Sequence, residues 1–216
     1  MATEAPTGLP PELAALLAHD LKNELGALEA TLELLASEVP AARARSGHQQ
    51  CRALRQRFVM FLTLYGAQGH LAACCEDESP ANLLLALHAR HLQPDDAQAV
   101  PVQLDPRSDP PPFAYFDPRL VSLALEAALH NAQRFAATQV LLGVRHEQRH
   151  LVFWVADDGP GLGAAAAHQG AKPLNTGLGT ELCRAVARAH RHGLRAGEVK
   201  LFNRPEGGAQ FELWLP

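Results

Sequence analysis

Apolar residues recur at steps of three and four from near the start of the chain. Ala14, Leu17, Leu21, Leu25, Leu28, Leu32 and Leu35 form one continuous stripe, the period of an amphipathic helix. Pro10 and Pro11 suit a first helical turn and Pro40 a stop, which predicts a helix over 11–38. Residues 40–47 read as a loop. Cys51, Leu54, Phe58, Phe61 and Tyr65 then repeat the spacing, which predicts a second helix over 48–75. Two long helices joined by a short turn make an antiparallel hairpin. Each helix buries only one face in such a hairpin, so pairing with a second copy into a four-helix bundle is expected.

The pattern changes after the acidic, proline-ended segment Cys75–Pro80, where a domain boundary is expected. Helices are predicted over 81–92, 118–136 and 178–191, and strands over 100–104, 113–116, 138–146, 150–156, 197–203 and 209–215. The last two strands are joined by the turn Pro205-Glu206-Gly207-Gly208. The expected fold is α+β: a helical hairpin over 1–76, then an α/β sandwich over 80–216 with helices on one face of its sheet.

Composition narrows the function classes. Hydrophobic residues make up 47% of the 216, enough for a core, and the net charge of -4 argues against a nucleic-acid partner. The four cysteines, 51, 74, 75 and 183, include no C-x-x-C pair, so neither a disulfide framework nor a zinc ribbon is expected. No apolar run approaches bilayer length and the N-terminus is acidic, so no membrane association is expected and the cytoplasm is the expected compartment. No separate sensory domain is expected within the 216 residues. His88 with His91, and His190 with His192, lack companions at metal-ligand spacing.

Four short segments carry chemistry. In His19-Asp20-Leu21-Lys22-Asn23, the imidazole of His19 falls about 200° from Leu17 and Leu21 on the helix and so faces away from the buried stripe. Asp20 follows it and can hold one ring nitrogen protonated, leaving the other as a nucleophile. In the helix over 118–136, Asn131 and Arg134 share an exposed face; an amide oxygen can help hold Mg²⁺ and a guanidinium can hold phosphate. Asp157-Asp158-Gly159-Pro160-Gly161 follows an apolar strand. A carboxylate there can accept from an adenine amino group, and the glycines let a flat base approach. Asn175-Thr176-Gly177-Leu178-Gly179 opens a helix, whose free N–H groups attract phosphate. It has neither Rossmann nor P-loop spacing.

In this order and spacing, the segments make the chain resemble the catalytic core of two-component sensor histidine kinases, with a Bergerat-type ATP-binding domain. HDLKN is similar to the H-box, HNAQRFA to the N-box, DDGPG to the G1 box and NTGLG to the G2 box. The resemblance implies a homodimer that binds ATP with Mg²⁺. Asn131, Arg134 and Phe135 would come from the N-box, Asn131 holding the metal. Asp157, Gly159 and Gly161 would receive adenine, and Thr176, Gly177, Leu178 and Gly179 the phosphates. The γ-phosphoryl group would pass to His19 with Asp20 as acid/base partner, then to an aspartate of a response-regulator receiver domain. Asn23 would orient water in a phosphatase reaction. The input would come from a separate sensor protein or a longer chain.

This sequence also departs from the family. Ala127 stands where an Asn or Glu is usual, four residues before Asn131, with Glu126 one step away. Glu24 replaces the usual proline after the H-box, Asn175 the first glycine of the G2 box, and the segment GAAAAHQGAKPL between the last two boxes is short. These departures bear on autokinase rate more than on fold. They keep open a histidine phosphotransfer protein of the same architecture, or a scaffold that binds a response regulator without using ATP. A serine-kinase anti-sigma factor would share the ATP fold but would not need the N-terminal hairpin.

Overall fold

The computed structural model describes residues 23, 25, 26, 28, 30, 47, 51, 54–56, 58–63, 71–91, 100–163 and 178–216. The chain divides into two compact units, Met1–His70 and Leu71–Pro216. In the first unit every described residue is helical. The Cys51 thiol donates to the Leu25 carbonyl (3.4 Å), and Met60 is also buried. Leu28, Leu54 and Phe61 are about half exposed. The second helix, expected to run to 75, does not reach that far: Leu71–Cys75 are not helical and belong to the second unit, where the Cys74 N–H is bonded to Asp117 instead. The remainder of the two helices expected over 11–70 lies outside the described residues.

The second unit holds strands β1 (Glu76–Glu78), β2 (Val102–Leu104), β3 (Ala114–Phe116), β4 (Val140–Glu147), β5 (His150–Asp157), β6 (Arg191–His192), β7 (Arg195–Ala196), β8 (Glu198–Asn203) and β9 (Ala209–Leu215). Its described helices are α1 (Pro80–His91), α2 (Pro118–Phe135) and α3 (Leu178–Ala189). The main sheet runs β2-β4-β5-β9-β8; only the β2–β4 pair is parallel. This is an α/β arrangement, a largely antiparallel sheet with helices packed against it, as expected from the sequence.

Two further features were not expected. The acidic segment read as a boundary forms β1, which pairs with β3. It is tied down because the Cys74 N–H, just before it, donates to the Asp117 carboxylate (2.8 Å). The helix predicted to run to 191 stops at Ala189, and a short β6–β7 hairpin follows. It stops because the buried His190 ring folds back onto the Val186 carbonyl (2.8 Å) and accepts the Asp117 N–H at its Nε2 (3.0 Å).

Alternation along β5 separates two environments. Phe153 is fully buried and meets Phe116 edge-on, ring centroids 5.6 Å apart. Val140, Leu142, Val144, Leu213 and Leu215 share that face. Each such side chain contributes about 1.5–3 kcal/mol through burial. Trp154 points to the other face and lies across Gly143, where a Cβ would fall 2.2 Å from the indole. There the Arg145 guanidinium stacks over Trp154 and Trp214 while paired to Glu147 and Glu212.

Candidate functional site

Helix α2 is the spine of the site, and an aspartate secures each end. Asp117 caps its start, accepting from the N–H groups of Arg119 and Leu120, with Pro118 in the first turn, where a missing N–H costs nothing. The Asp117 side chain is fully buried. Burial alone would raise its pKa, but bonds from the Cys74 and Leu120 N–H groups and the Arg119 guanidinium outweigh that and hold it below the usual carboxylate range. Just beyond the other end, Asp158 accepts from the N–H groups of Ala137, Thr138 and Gln139 and from the Thr138 hydroxyl. Slight burial pushes its pKa up, but the Thr138 hydroxyl and these amides bring it down to about 2.

That second tie brings the strand-end loop of β5 against the end of α2. A Cβ on Gly159 would fall 2.2 Å from the Phe135 carbonyl oxygen, so only glycine permits this approach. Asp157 itself is 8% exposed. Its Oδ1 accepts from the N–H groups of Gly159 (2.9 Å) and Ala209 (3.2 Å), while Oδ2 carries no bond from the described residues. The two adjacent aspartates therefore have different roles: Asp158 is consumed by the α2–β4 connection, and Asp157 keeps one oxygen without a bond from the described residues. Gly161 takes a positive φ of 83°, a conformation natural to glycine.

The start of α3 meets α2 from the other side. A Cβ on Gly179 would be 3.7 Å from Asn131 Nδ2 and 3.8 Å from the Ala127 Cβ. Asn131 and Arg134 are both exposed on α2, and the Arg134 guanidinium stands over the Phe135 ring at 5.4 Å. Four of the expected segments' residues are thus brought together on this spine: Asn131 beside Gly179, and Phe135 beside Gly159. Leu178 opens α3 and is partly buried. Thr176 and Gly177 lie outside the described residues, as do His19 and Asp20; Asn23 is helical and exposed.

The departure at 127 has a structural counterpart. Ala127 is buried against α3, whereas Glu126 is directed to α1, where its carboxylate pairs with Arg90 (2.5 Å). Glu126 therefore faces away from Asn131, about 100° round the helix from Ala127. For Mg²⁺ the described residues offer one neutral oxygen, Asn131 Oδ1. That fits a cation whose shell is completed chiefly by phosphate oxygens and water. His190, weighed earlier for metal ligation, has both ring nitrogens engaged, and no metal-binding cluster of His, Cys, Asp or Glu occurs among the described residues.

Sequence reasoning missed Asn203, Arg204, Gly208 and Ala209, which all touch the 157–162 loop. The Glu206-Gly207-Gly208 sequence was legible as a turn, but nothing in it showed what the turn leans on.

Residues 116–216 match a family described as "Histidine kinase-, DNA gyrase B-, and HSP90-like ATPase". The signal transduction histidine-protein kinase AfsQ2 of Streptomyces coelicolor is 32% identical over 112 residues, covering 48% of this chain and 20% of AfsQ2. Sensor protein KdpD of Escherichia coli K12 is 28% identical over 223 residues, covering 94% of this chain and 24% of KdpD. The chain thus spans about a fifth to a quarter of the length of these curated relatives. Full-length ShkA, crystallised in complex with AMPPNP, superposes with a TM-score of 0.68 at 19% identity, over 96% of this chain and 46% of ShkA, a likeness of fold. No described helix is long and apolar enough to cross a membrane.

Proposed function

Residues 116–216 form a domain of the histidine kinase-, DNA gyrase B- and HSP90-like ATPase family, and from that premise we propose that the chain is a cytoplasmic histidine kinase of a two-component system. ATP is its phosphoryl donor and His19 its acceptor. The observation that carries the reading is the divided Asp157 carboxylate. Oδ1 is fixed by two backbone N–H groups, and Oδ2 is left to accept from the 6-amino group of adenine. Gly159 and Gly161 keep side chains away from the approaching base. Asn131 lends its oxygen to Mg²⁺, and Arg134 faces the phosphates. The helix N-terminus behind Thr176, Gly177, Leu178 and Gly179 cradles them through backbone N–H groups. Bound Mg²⁺ would neutralise phosphate charge.

In the transfer, the bond from the γ-phosphorus to its bridging oxygen breaks as a bond to an imidazole nitrogen of His19 forms, leaving ADP. Asp20 holds the proton on the other ring nitrogen. Catalysis is chiefly alignment and charge neutralisation. The phosphoryl group then moves to a receiver-domain aspartate of a response regulator, and Asn23 orients water when the reaction is run as a phosphatase. The helical hairpin pairs with a second copy, which would cover the half-exposed Leu28, Leu54 and Phe61. The signal arrives from a separate sensor protein or another part of a longer polypeptide.

One observation favours a second reading, a histidine phosphotransfer protein or response-regulator scaffold that does not use ATP. Ala127 offers no carboxylate beside Asn131, and Glu126 is committed to Arg90. Incubation with radiolabelled ATP and Mg²⁺ separates the two. Label on the wild type, absent from His19→Ala and Asn131→Ala, is the expected result. Nucleotide binding without label points to the scaffold or phosphatase, and no binding at all to the relay.

A further inference from the structure

The turn between β8 and β9 grips the loop that presents Asp157. At the loop's start, Arg204 Nη1 donates to the Asp157 carbonyl (3.0 Å), and the Ala209 N–H donates to Asp157 Oδ1 (3.2 Å). Gly208 lies so close that a Cβ on it would fall 1.9 Å from that same carbonyl oxygen. At the loop's end, Asn203 Oδ1 accepts the Leu162 N–H (2.5 Å), and its Nδ2 donates to the Leu162 carbonyl (3.5 Å). Bonds from the Arg204 N–H to the Gly208 carbonyl and from the Gly207 N–H to the Arg204 carbonyl close the turn itself.

Arg204 is unusual in this setting. Its side chain is only 11% exposed, and Nε is buried with no partner among the described residues. Burying a guanidinium with one N–H unmatched works against stability, and an ordinary turn would connect β8 to β9 without it. Nη2 pairs with Glu206 inside the turn (2.5 Å), and Nη1 is the bond that reaches beyond it, fixed to the backbone of the residue whose carboxylate has an oxygen without a bond from the described residues.

We propose that Arg204 and Asn203 are positioning residues that set the angle of the Asp157 carboxylate and thereby select a 6-amino purine over a 6-oxo purine. The inference rests on the ATP reading above. Adenine presents an N–H donor where guanine presents a carbonyl oxygen, which a carboxylate repels. Hydrogen bonds weaken steeply as they bend, so both acceptance and rejection depend on the carboxylate being held. A carboxylate free to swing accepts adenine less well and can turn away from guanine.

The test uses the full chain with Arg204→Ala, Arg204→Lys and Asn203→Ala. Calorimetry gives the Kd for ATP and for GTP, and hydrogen exchange follows the amides of Gly159, Leu162 and Ala209. Arg204→Ala is expected to weaken ATP about ten-fold and to narrow the ATP-over-GTP preference by a similar factor. Arg204→Lys, which keeps one donor, recovers part of both. Exchange at Gly159 and Ala209 rises in Arg204→Ala, and exchange at Leu162 rises in Asn203→Ala. A lower melting temperature with the ATP-over-GTP preference unchanged in all three variants would assign the turn a purely structural role and overturn the proposal. If the wild type binds neither nucleotide, the ATP reading fails and base selection fails with it. Amide exchange then still judges the grip: unaltered protection of Gly159 and Ala209 in Arg204→Ala, or in Arg204→Lys should the alanine variant unfold, overturns that too.

Discussion

Replacing Asp157 by Asn changes one atom's chemistry at the centre of the proposed site. The amide oxygen can take over from Oδ1 and keep both the Gly159 N–H (2.9 Å) and the Ala209 N–H (3.2 Å). The amide nitrogen then occupies the place of Oδ2 and turns a donor toward the donor of adenine. A hydrogen bond to a charged acceptor contributes about 1.5–3 kcal/mol, so ATP should bind about ten- to a hundred-fold more weakly. Stability should change far less. Two backbone donors keep an acceptor, now neutral, and the loss is about 1 kcal/mol. In a unit of this size that lowers Tm by about 2–4 °C. Titration calorimetry with ATP and a thermal melt on the same preparation separate the two effects. The reasoning is refuted if Asp157→Asn binds ATP within a factor of about three of wild type. It is also refuted if binding is lost only because the variant unfolds.

Four further outcomes follow from the geometry. Gly179→Ala fits without a clash, since its Cβ would sit 3.7 Å from Asn131 Nδ2. It should raise Tm slightly, by the helix preference of alanine, yet lower ATP affinity by narrowing the space beside Asn131; equal or tighter binding would contradict this. Asp117→Ala removes the cap of α2 and strands the Cys74 N–H; a loss of about 3 kcal/mol is expected in urea denaturation. Asp158 has its pKa lowered to about 2 in the fold, so its carboxylate stabilises fully above the unfolded value. That contribution fades as pH falls from about 4 through about 2, and Asp158→Asn should flatten the acid limb of a stability-versus-pH curve. His190 is held neutral because burial lowers its pKa, against the opposing pull of the Val186 bond and the Asp117 charge. Its contribution is complete above the unfolded pKa of about 6.5 and declines below it. His190→Phe should lose about 2 kcal/mol by orphaning the Asp117 N–H and should remove that part of the pH dependence, read by denaturation at pH 5 and 8.

The longer elements of the second unit were legible because they are periodic. The predicted helix over 118–136 appears as Pro118–Phe135, and the predicted strands over 150–156 and 209–215 as His150–Asp157 and Ala209–Leu215. Local chemistry reads less well when the decisive partner is distant in sequence. Glu76-Asp77-Glu78 has the composition of a linker, yet it pairs with β3 because Asp117, some forty residues on, holds the Cys74 amide. Ala189-His190-Arg191 looks like a continuing helix end, yet the His190 ring is drawn inward by an amide 73 residues earlier in the chain. The same limit applied at the site. The motif Asp157-Asp158-Gly159 announced a carboxylate at a strand end, but the division of labour between the two aspartates depends on Ala137, Thr138, Gln139 and Ala209, none of which carries a motif.

Those distant partners also explain how one helix can hold the side chains it brings to the site in place. Asp117 and Asp158 are acids that lie at or beyond the ends of α2, and each has both oxygens occupied by backbone N–H groups and one side chain, Arg119 at Asp117 and Thr138 at Asp158. With both ends fixed, α2 cannot rotate or slide without breaking bonds at two carboxylates. Asn131 and Phe135 are therefore held against Gly179 and Gly159 respectively. The apolar interface of α2 with α3 closes the remaining freedom, and Ala127 is part of that interface, buried between the helices. A carboxylate introduced at 127 would have to displace α3 or bend out toward Asn131. The absence of an acidic group there is consequently tied to the packing of α3 as well as to the chemistry of the cleft. Ala127→Glu accordingly tests both at once: a gain in phosphorylation of His19 with Tm preserved would mean the helices yield, and a fall in Tm without label would mean that packing governs the position.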